Sequence, residues 1–135
     1  MKKICCLLLS FVMILSFSAC SCNCGNTENV NIKTVESKIY SQKDIDDAIQ
    51  TIITEFKSWY GCTLTEIYYA GDDNVDNQFY TDMYGGDEAI VLLSSFDVDS
   101  SGGDGSLNRN STYDDWMWIL VRNKGEEWKH VDHGY

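Results

Sequence analysis

Basic residues are scarce in this chain. Its 135 residues include 10 Lys and Arg against 21 Asp and Glu, which gives a formal net charge of −11. A protein that binds nucleic acid needs clustered Lys and Arg to neutralise phosphates. We therefore exclude nucleic acid as a partner, and the like charge also disfavours attraction to anionic lipid.

The sequence also lacks a hydrophobic run long enough to span a bilayer, and it lacks the common catalytic motifs. Its longest apolar stretch, residues 4–17, would reach only about 21 Å as a helix, against roughly 30 Å of hydrocarbon. No nucleophile-elbow serine, zinc-protease helix or phosphate-binding loop occurs. A hydrophobic content of 44% is nevertheless too high for a wholly disordered chain, so we expect one folded domain.

The first twenty residues are typical of a bacterial secretion signal. Lys2 and Lys3 precede the apolar stretch, and small residues then lead to Cys20. The quartet Phe-Ser-Ala-Cys at 17–20 resembles a lipobox, whose cysteine carries a diacylglycerol and becomes the new N-terminus. We expect cleavage of residues 1–19 and lipidation of Cys20, palmitate included; the alternative is ordinary secretion without a lipid. Two acyl chains would hold the protein on the cell membrane.

The remainder of the chain divides into a tether and a domain. Residues 20–37 are rich in Asn, Thr and Ser without a helical or strand period, and we predict a lipidated, flexible tether. Residues 38–135 are predicted to form a single domain. Apolar residues from Ile45 onward recur on one helix face, and Ser41 begins a capping-box pattern, so a long helix is predicted at about 42–60.

After Gly61 the apolar period changes to two, which is typical of strands. The short turn at 123–126 requires antiparallel neighbours. The predicted fold is α+β, with one long N-terminal helix packed on a curled antiparallel sheet of about four strands. Strict alternation turns Trp116 and Trp118 towards the helix and Tyr113 away from it. The four strands are predicted at residues 62–70, 88–98, 112–122 and 127–133.

The last predicted strand carries both histidines of the chain. Strict alternation puts His130 and Asp132 on one side of the strand and His133 on the other. The two histidines are then a poor pair for a metal. His130 with Asp132 is a candidate acid/base dyad, and the alternative is an ordinary solvated strand.

An acidic loop is a weak candidate for calcium. Asp97, Asp99, Ser101 and Gly102 occupy positions 1, 3, 5 and 6 of a calcium-binding loop. Position 12 is Asn108 instead of the bidentate glutamate, so a simple acidic hairpin loop is the favoured interpretation. We predict no other metal and no cofactor.

Aromatic residues supply the candidate ligand-binding positions. Rings provide apolar walls for a pocket and hydroxyl groups orient a ligand. A domain of this size also needs bulky rings to fill its core, so the same residues have a purely structural alternative. The candidates for ligand contact are Tyr113, Trp116, Trp118, His130 and Asp132.

Several segments carry a family resemblance: IYSQKDI at 39–45, GCTL at 61–64, FDVD at 96–99, WMWILVR at 116–122 and WKHVDHGY at 128–135. Together they resemble an uncharacterised family of small bacterial lipoproteins. The resemblance implies a nuclear-transport-factor-two-like, or cystatin-like, cone of helix and curved sheet, and it implies no activity.

Three functions are compatible with these observations. The first is a non-catalytic module, lipid-anchored on the extracytoplasmic face of a bacterial membrane, that binds an extracytoplasmic protein or a small ligand. The second is a small enzyme of the same superfamily, with an acid/base such as Asp132 or His130 in the sheet cavity. The third is a calcium-responsive loop. The absence of a catalytic motif favours the first.

The lipobox assignment predicts the fate of a single thiol. Cys20→Ser should leave an uncleaved or soluble precursor that takes up no radioactive palmitate, because the thioether has no sulfur to form on. Cys22→Ser is the matched control and should be labelled like the parent. Labelling that persists in Cys20→Ser would contradict the assignment.

Overall fold

A computed structural model describes residues 24–74 and 76–135; Cys20 and the predicted signal lie outside the described residues. The fold is α+β, as predicted. The five strands form one sheet in the order β1-β2-β3-β4-β5, in which β1 and β2 are parallel and all other neighbours are antiparallel. The elements in chain order are β1 (Asn31–Lys33), α1 (Gln42–Phe56), β2 (Cys62–Tyr69), a 3-10 turn (Asp72–Asn74), α2 (Asn77–Tyr84), β3 (Glu88–Val98), β4 (Ser111–Arg122) and β5 (Lys129–Gly134).

Helix α1 begins as the sequence predicts and ends earlier. The Ser41 side chain accepts a hydrogen bond from the Asp44 backbone, and Asp44 accepts one in return, which completes the capping box. The predicted end at residue 60 is wrong, because α1 stops at Phe56. The next three residues form i to i−3 hydrogen bonds, which tighten the chain into a turn, and Gly61 follows with a φ of 70°.

The structure also corrects the predicted number of strands and the predicted tether. The helix is not the first element, since β1 precedes it and pairs with β2. Part of the predicted tether therefore belongs to the fold. The Asn26 backbone bonds to Cys62 and Leu64, and Gly25 packs so tightly that a Cβ atom there would lie 1.8 Å from the carbonyl oxygen of Phe56.

Three β-bulges interrupt the antiparallel pairing. They fall in β2 between Leu64 and Glu66, in β4 opposite Ser94 to Phe96, and in β5 opposite Ile119 to Leu120. Each inserts one residue into one strand, which bends that strand and reverses the alternation of side chains beyond it.

The bulge in β4 overturns the predicted position of Tyr113. The extra residue lies between Trp116 and Tyr113, where Asp115 has a φ of 53°. Tyr113 therefore shares the face of Trp116, and its ring stacks on Phe96 with centroids 5.1 Å apart. Strict alternation failed here because it assumed an unbroken strand.

One face of the sheet packs against α1 and the other against α2. Phe56 of α1 lies edge-on to Trp118 with centroids 6.3 Å apart, so Trp118 faces the helix as predicted. On the opposite face the Tyr80 hydroxyl of α2 lies 3.7 Å from the Met117 sulfur. The loop predicted near residues 75–87 is instead occupied largely by this helix, which Asp76 caps. No helix in the part of the chain that the structure describes is long and apolar enough to cross a membrane.

Arg122 ties the start of α1 to the sheet. Its guanidinium bonds to Asp44 at 2.9 Å and to Glu88 at 2.7 Å, and it lies 4.1 Å above the Trp128 ring. The Trp128 indole donates to the Asp44 carbonyl oxygen at 3.0 Å. Only 11% of the Arg122 side chain is exposed, so this pairing is better shielded than a surface salt bridge.

The core position of Trp118 predicts a large loss of stability on truncation. Trp118 is fully buried and donates to the buried Ser94 hydroxyl at 2.8 Å. Trp118→Ala should cost about 3–5 kcal/mol, because it opens a cavity and leaves that hydroxyl without its partner. Urea denaturation measures the loss, and Ile39→Ala, at an exposed residue, should stay within about 0.5 kcal/mol of the parent. Equal midpoints for parent and Trp118→Ala would contradict the core assignment.

Candidate functional site

A cleft of about 300 Å³ opens where α1 ends. Three parts of the chain form it: the turn that follows α1, the loop between β3 and β4, and the helix-facing sides of β4 and β5. Its walls are mainly aromatic and aliphatic, and its polar groups are few. The lining residues are Ser58, Trp59, Tyr60, Cys62, Gly103, Asp104, Ser106, Leu107, Trp116 and His133.

The early end of α1 gives the cleft its central ring. Because the chain leaves the helix before Trp59, this side chain packs across the sheet instead of continuing the helical stripe. Its ring centroid lies 4.9 Å from Trp118, 6.0 Å from Trp116 and 4.9 Å from His133. Tyr60 follows on the rim and is 54% exposed. The cleft thus has a buried aromatic floor and an accessible aromatic edge.

Trp116 contributes its ring to the cleft while its polar atom is enclosed. The indole nitrogen is buried and has no hydrogen-bond partner. Four rings meet this indole nearly edge to face: Trp59, Phe96, Tyr113 and Tyr135, at interplanar angles of 74° to 87°. An N–H directed at an aromatic face is a weak hydrogen bond, which accounts for a buried donor without a conventional acceptor.

The loop between β3 and β4 forms the polar wall. Asp104 accepts hydrogen bonds from the Ser106 backbone at 2.9 Å and the Ser106 hydroxyl at 2.5 Å. These bonds lower the pKa of Asp104, so the carboxylate is charged at neutral pH. Leu107 holds the loop in place by packing against the core.

The calcium candidates serve the loop's own geometry. Asp97 accepts from the Thr112 hydroxyl at 2.6 Å, and Asp99 accepts from the backbone and the hydroxyl of Ser101. Within residues 24–74 and 76–135, no group of three or more His, Cys, Asp or Glu side chains is placed to hold a metal ion. The geometry gives the calcium alternative no support.

The bulge in β5 brings the two histidines together, contrary to the alternation prediction. His130 pairs with Leu120 and His133 with Trp118, both of which face α1. The two imidazoles stack at 5.2 Å, and Nε2 of His130 lies 3.2 Å from Nδ1 of His133. The predicted shared face of His130 and Asp132 is wrong, because the inserted residue reverses the alternation between them.

Asp132 accordingly serves the other side of the sheet. Its carboxylate accepts a hydrogen bond from the Tyr84 hydroxyl of α2. His130 touches only the Asp132 backbone, with Nε2 3.1 Å from the carbonyl oxygen. The candidate dyad is therefore not assembled. The carboxylate nearest to the His130 ring is instead that of Glu55 on α1, 3.9 Å from Nδ1.

Cys62 is a buried free thiol at the first position of β2. Burial raises its pKa to about 11, and the charges of Asp99 and Asp104 act in the same direction. It is therefore a protonated wall of the cleft at neutral pH, in keeping with the structural role that the sequence predicts. Cys24 is disulfide-bonded.

Most of the predicted ligand-contact residues are brought together, in a different grouping. Tyr113, Trp116, Trp118 and His130 share the aromatic cluster beside α1, but only Trp116 lines the cleft. Sequence reasoning rejected His133 and placed Trp59 on a helix. A signal for the second exists in the sequence: Ser58 can accept and return backbone hydrogen bonds near a helix end, and its hydroxyl donates to the Glu55 carbonyl oxygen at 2.8 Å.

Comparison with known proteins adds no relative. No family model, no curated protein and no solved structure matches this chain.

The environment of His130 predicts how stability depends on pH. Burial lowers the pKa of His130, the neighbouring His133 lowers it further, and Glu55 acts in the opposite direction. The unfolded chain, with an ordinary histidine pKa near 6.5, then binds more protons than the folded chain just below that pH. Stability should therefore fall as the pH drops from about 6.5 to about 5, before the aspartates become protonated.

His130→Gln should remove this loss, because glutamine does not titrate. Urea unfolding of parent and variant at several pH values measures it, and NMR titration of the His130 ring reports its pKa directly. In His133→Gln the His130 pKa should rise, since one of the two influences that lower it is gone. An unchanged slope in His130→Gln would show that another group causes the loss.

Proposed function

We propose that this protein is a lipid-anchored binding module on the extracytoplasmic face of a bacterial cell membrane, with the cleft as its binding site. The observation that carries the proposal is the cleft of about 300 Å³ with aromatic walls and a few polar groups. Ligand sites are typically concave and apolar, with a small number of polar groups that orient the ligand, and this volume is at their lower limit. The occupant is a small ligand or one side chain of an extracytoplasmic protein.

The position of the N-terminal segment supports the connection between anchor and site. Four residue steps separate Cys20 from Cys24, and at about 3.3–3.6 Å per residue they reach at most about 14 Å. The chain is then fixed to the domain, because Asn26 bonds to the Cys62 backbone and Cys62 lines the cleft. Under the proposed lipidation of Cys20, the cleft is held close to the membrane surface.

The proposal includes the family resemblance as well. A helix packed against one face of a sheet with three bulges is the feature that supports a nuclear-transport-factor-two-like cone. In a cone of this kind the open end of the sheet is available to a ligand, and the cleft lies at such an end. The binding function depends on the cleft and not on the family.

An acid/base enzyme is the second candidate, and one observation favours it. Glu55, His130 and His133 follow one another at 3.9 Å and 3.2 Å, and the last of them lines the cleft. Such a series can pass a proton between a ligand and the surface. The enzyme hypothesis predicts that His133→Gln abolishes turnover of a bound ligand, whereas the binding hypothesis predicts no turnover to abolish.

The four indole N–H groups provide a direct test of the binding site. We expect mixtures of neutral, cationic and anionic small molecules to shift the NMR resonances of Trp59 and Trp116, because both rings line the cleft. Trp128 is the internal control: its indole is bonded to the Asp44 carbonyl oxygen and is absent from the cleft lining. Shifts spread evenly over all four indoles, or no shift with any mixture, would contradict the proposal.

A further inference from the structure

The cleft combines aromatic walls with negative charge. Trp59, Tyr60 and Trp116 provide rings from two directions, the turn after α1 and strand β4. Asp104 stands between them on the loop. Among the residues that the structure describes, no Lys or Arg lines this cleft.

A second carboxylate reinforces the charge at the same place. Asp99 lies behind Gly61: a Cβ atom on this glycine would be 2.7 Å from the carboxylate oxygen. The charges of Asp99 and Asp104 both act on the Cys62 thiol, which lines the cleft, so their field extends into it. Residues 24–135 carry eight Lys and Arg against all 21 Asp and Glu, which makes their net charge 8 minus 21, or −13. The field of the whole domain therefore acts in the same direction.

These features select the charge of the ligand. An anion would enter a cleft that contains a carboxylate and no compensating cation, which is unfavourable at short range. A neutral ligand would contact the rings but gain nothing from Asp104. A cation gains from both, since the faces of Trp and Tyr rings attract positive charge and the carboxylate attracts it directly.

We infer that the cleft binds a small organic cation, an amine or quaternary ammonium group on a compact apolar body. The rings hold the apolar body and the ammonium group, and Asp104 supplies the counter-charge. The inference rests on the proposed binding function and adds the chemical class of the ligand. Such a group occurs both in free amines and in the headgroups of zwitterionic lipids, and the anchored position of the cleft gives it access to either.

Choline and its neutral carbon isostere, 3,3-dimethylbutan-1-ol, are matched probes because they have nearly the same shape and differ in charge. Titration of the full-length chain, followed by tryptophan fluorescence and calorimetry, should show saturable binding of choline and at least about tenfold weaker binding of the alcohol. Vesicles of phosphatidylcholine, compared with vesicles of phosphatidylglycerol, test the lipid source against free choline.

Two variants locate the binding. Asp104→Asn keeps a side-chain oxygen for Ser106 and removes the charge, so it should weaken choline binding about tenfold while the melting temperature stays close to the parent's. Asp73→Asn removes the same charge from an exposed turn outside the cleft and controls for the overall field. Tyr60→Ala, at the exposed rim, should weaken binding about fivefold.

Each outcome decides the inference. Choline binding that depends on Asp104 and Tyr60, from solution or from a vesicle, supports it. Equal affinity for the alcohol, equal losses in Asp104→Asn and Asp73→Asn, or no saturable choline binding overturns it. If neutral molecules still shift the Trp59 and Trp116 resonances in any of these cases, the proposed binding function stands and only the cationic ligand class is wrong.

Discussion

The inserted residues in three neighbouring strands are the constraint on which the rest of the structure depends. A regular strand turns every second side chain to the same face, and each bulge changes that rule once. The bulges put Leu64 and Ile67, Tyr113 and Trp116, and His130 and His133 on the face that receives α1. Without them the aromatic cluster would be divided between two faces.

Long periodic elements were predictable because burial dictates their composition. The apolar stripe of α1, the capping box at Ser41 and the strands β2 to β5 all follow from side chains that must reach one core. Strand β1 was not predictable, since its three residues are exposed and its stability comes from backbone pairing with β2. A strand of that kind has no apolar pattern to recognise, and the sequence instead resembled a tether.

The site was predictable only in part, because it forms where regular structure ends. Rings were expected to line a pocket, and Trp116 does so. The positions of Trp59 and His133 depend on where α1 stops and on one inserted residue in β5, and local hydrogen bonds decide both. The number of residues in a strand says nothing about which one is inserted, so periodicity alone paired His130 with the wrong neighbour.

The cleft and the core share the same rings, and this limits how binding and folding can be separated. Trp59 and Trp116 each contact the cleft and also pack on Phe96, at 5.6 Å and 5.5 Å between ring centroids. Truncation of either ring would remove packing from the hydrophobic core as well as a wall of the site, so a loss of binding would carry no message about the ligand. Tyr60 and Asp104 have most of their contacts with solvent and the loop. The chemistry of the site is therefore read from its rim, whereas its shape is set by the fold.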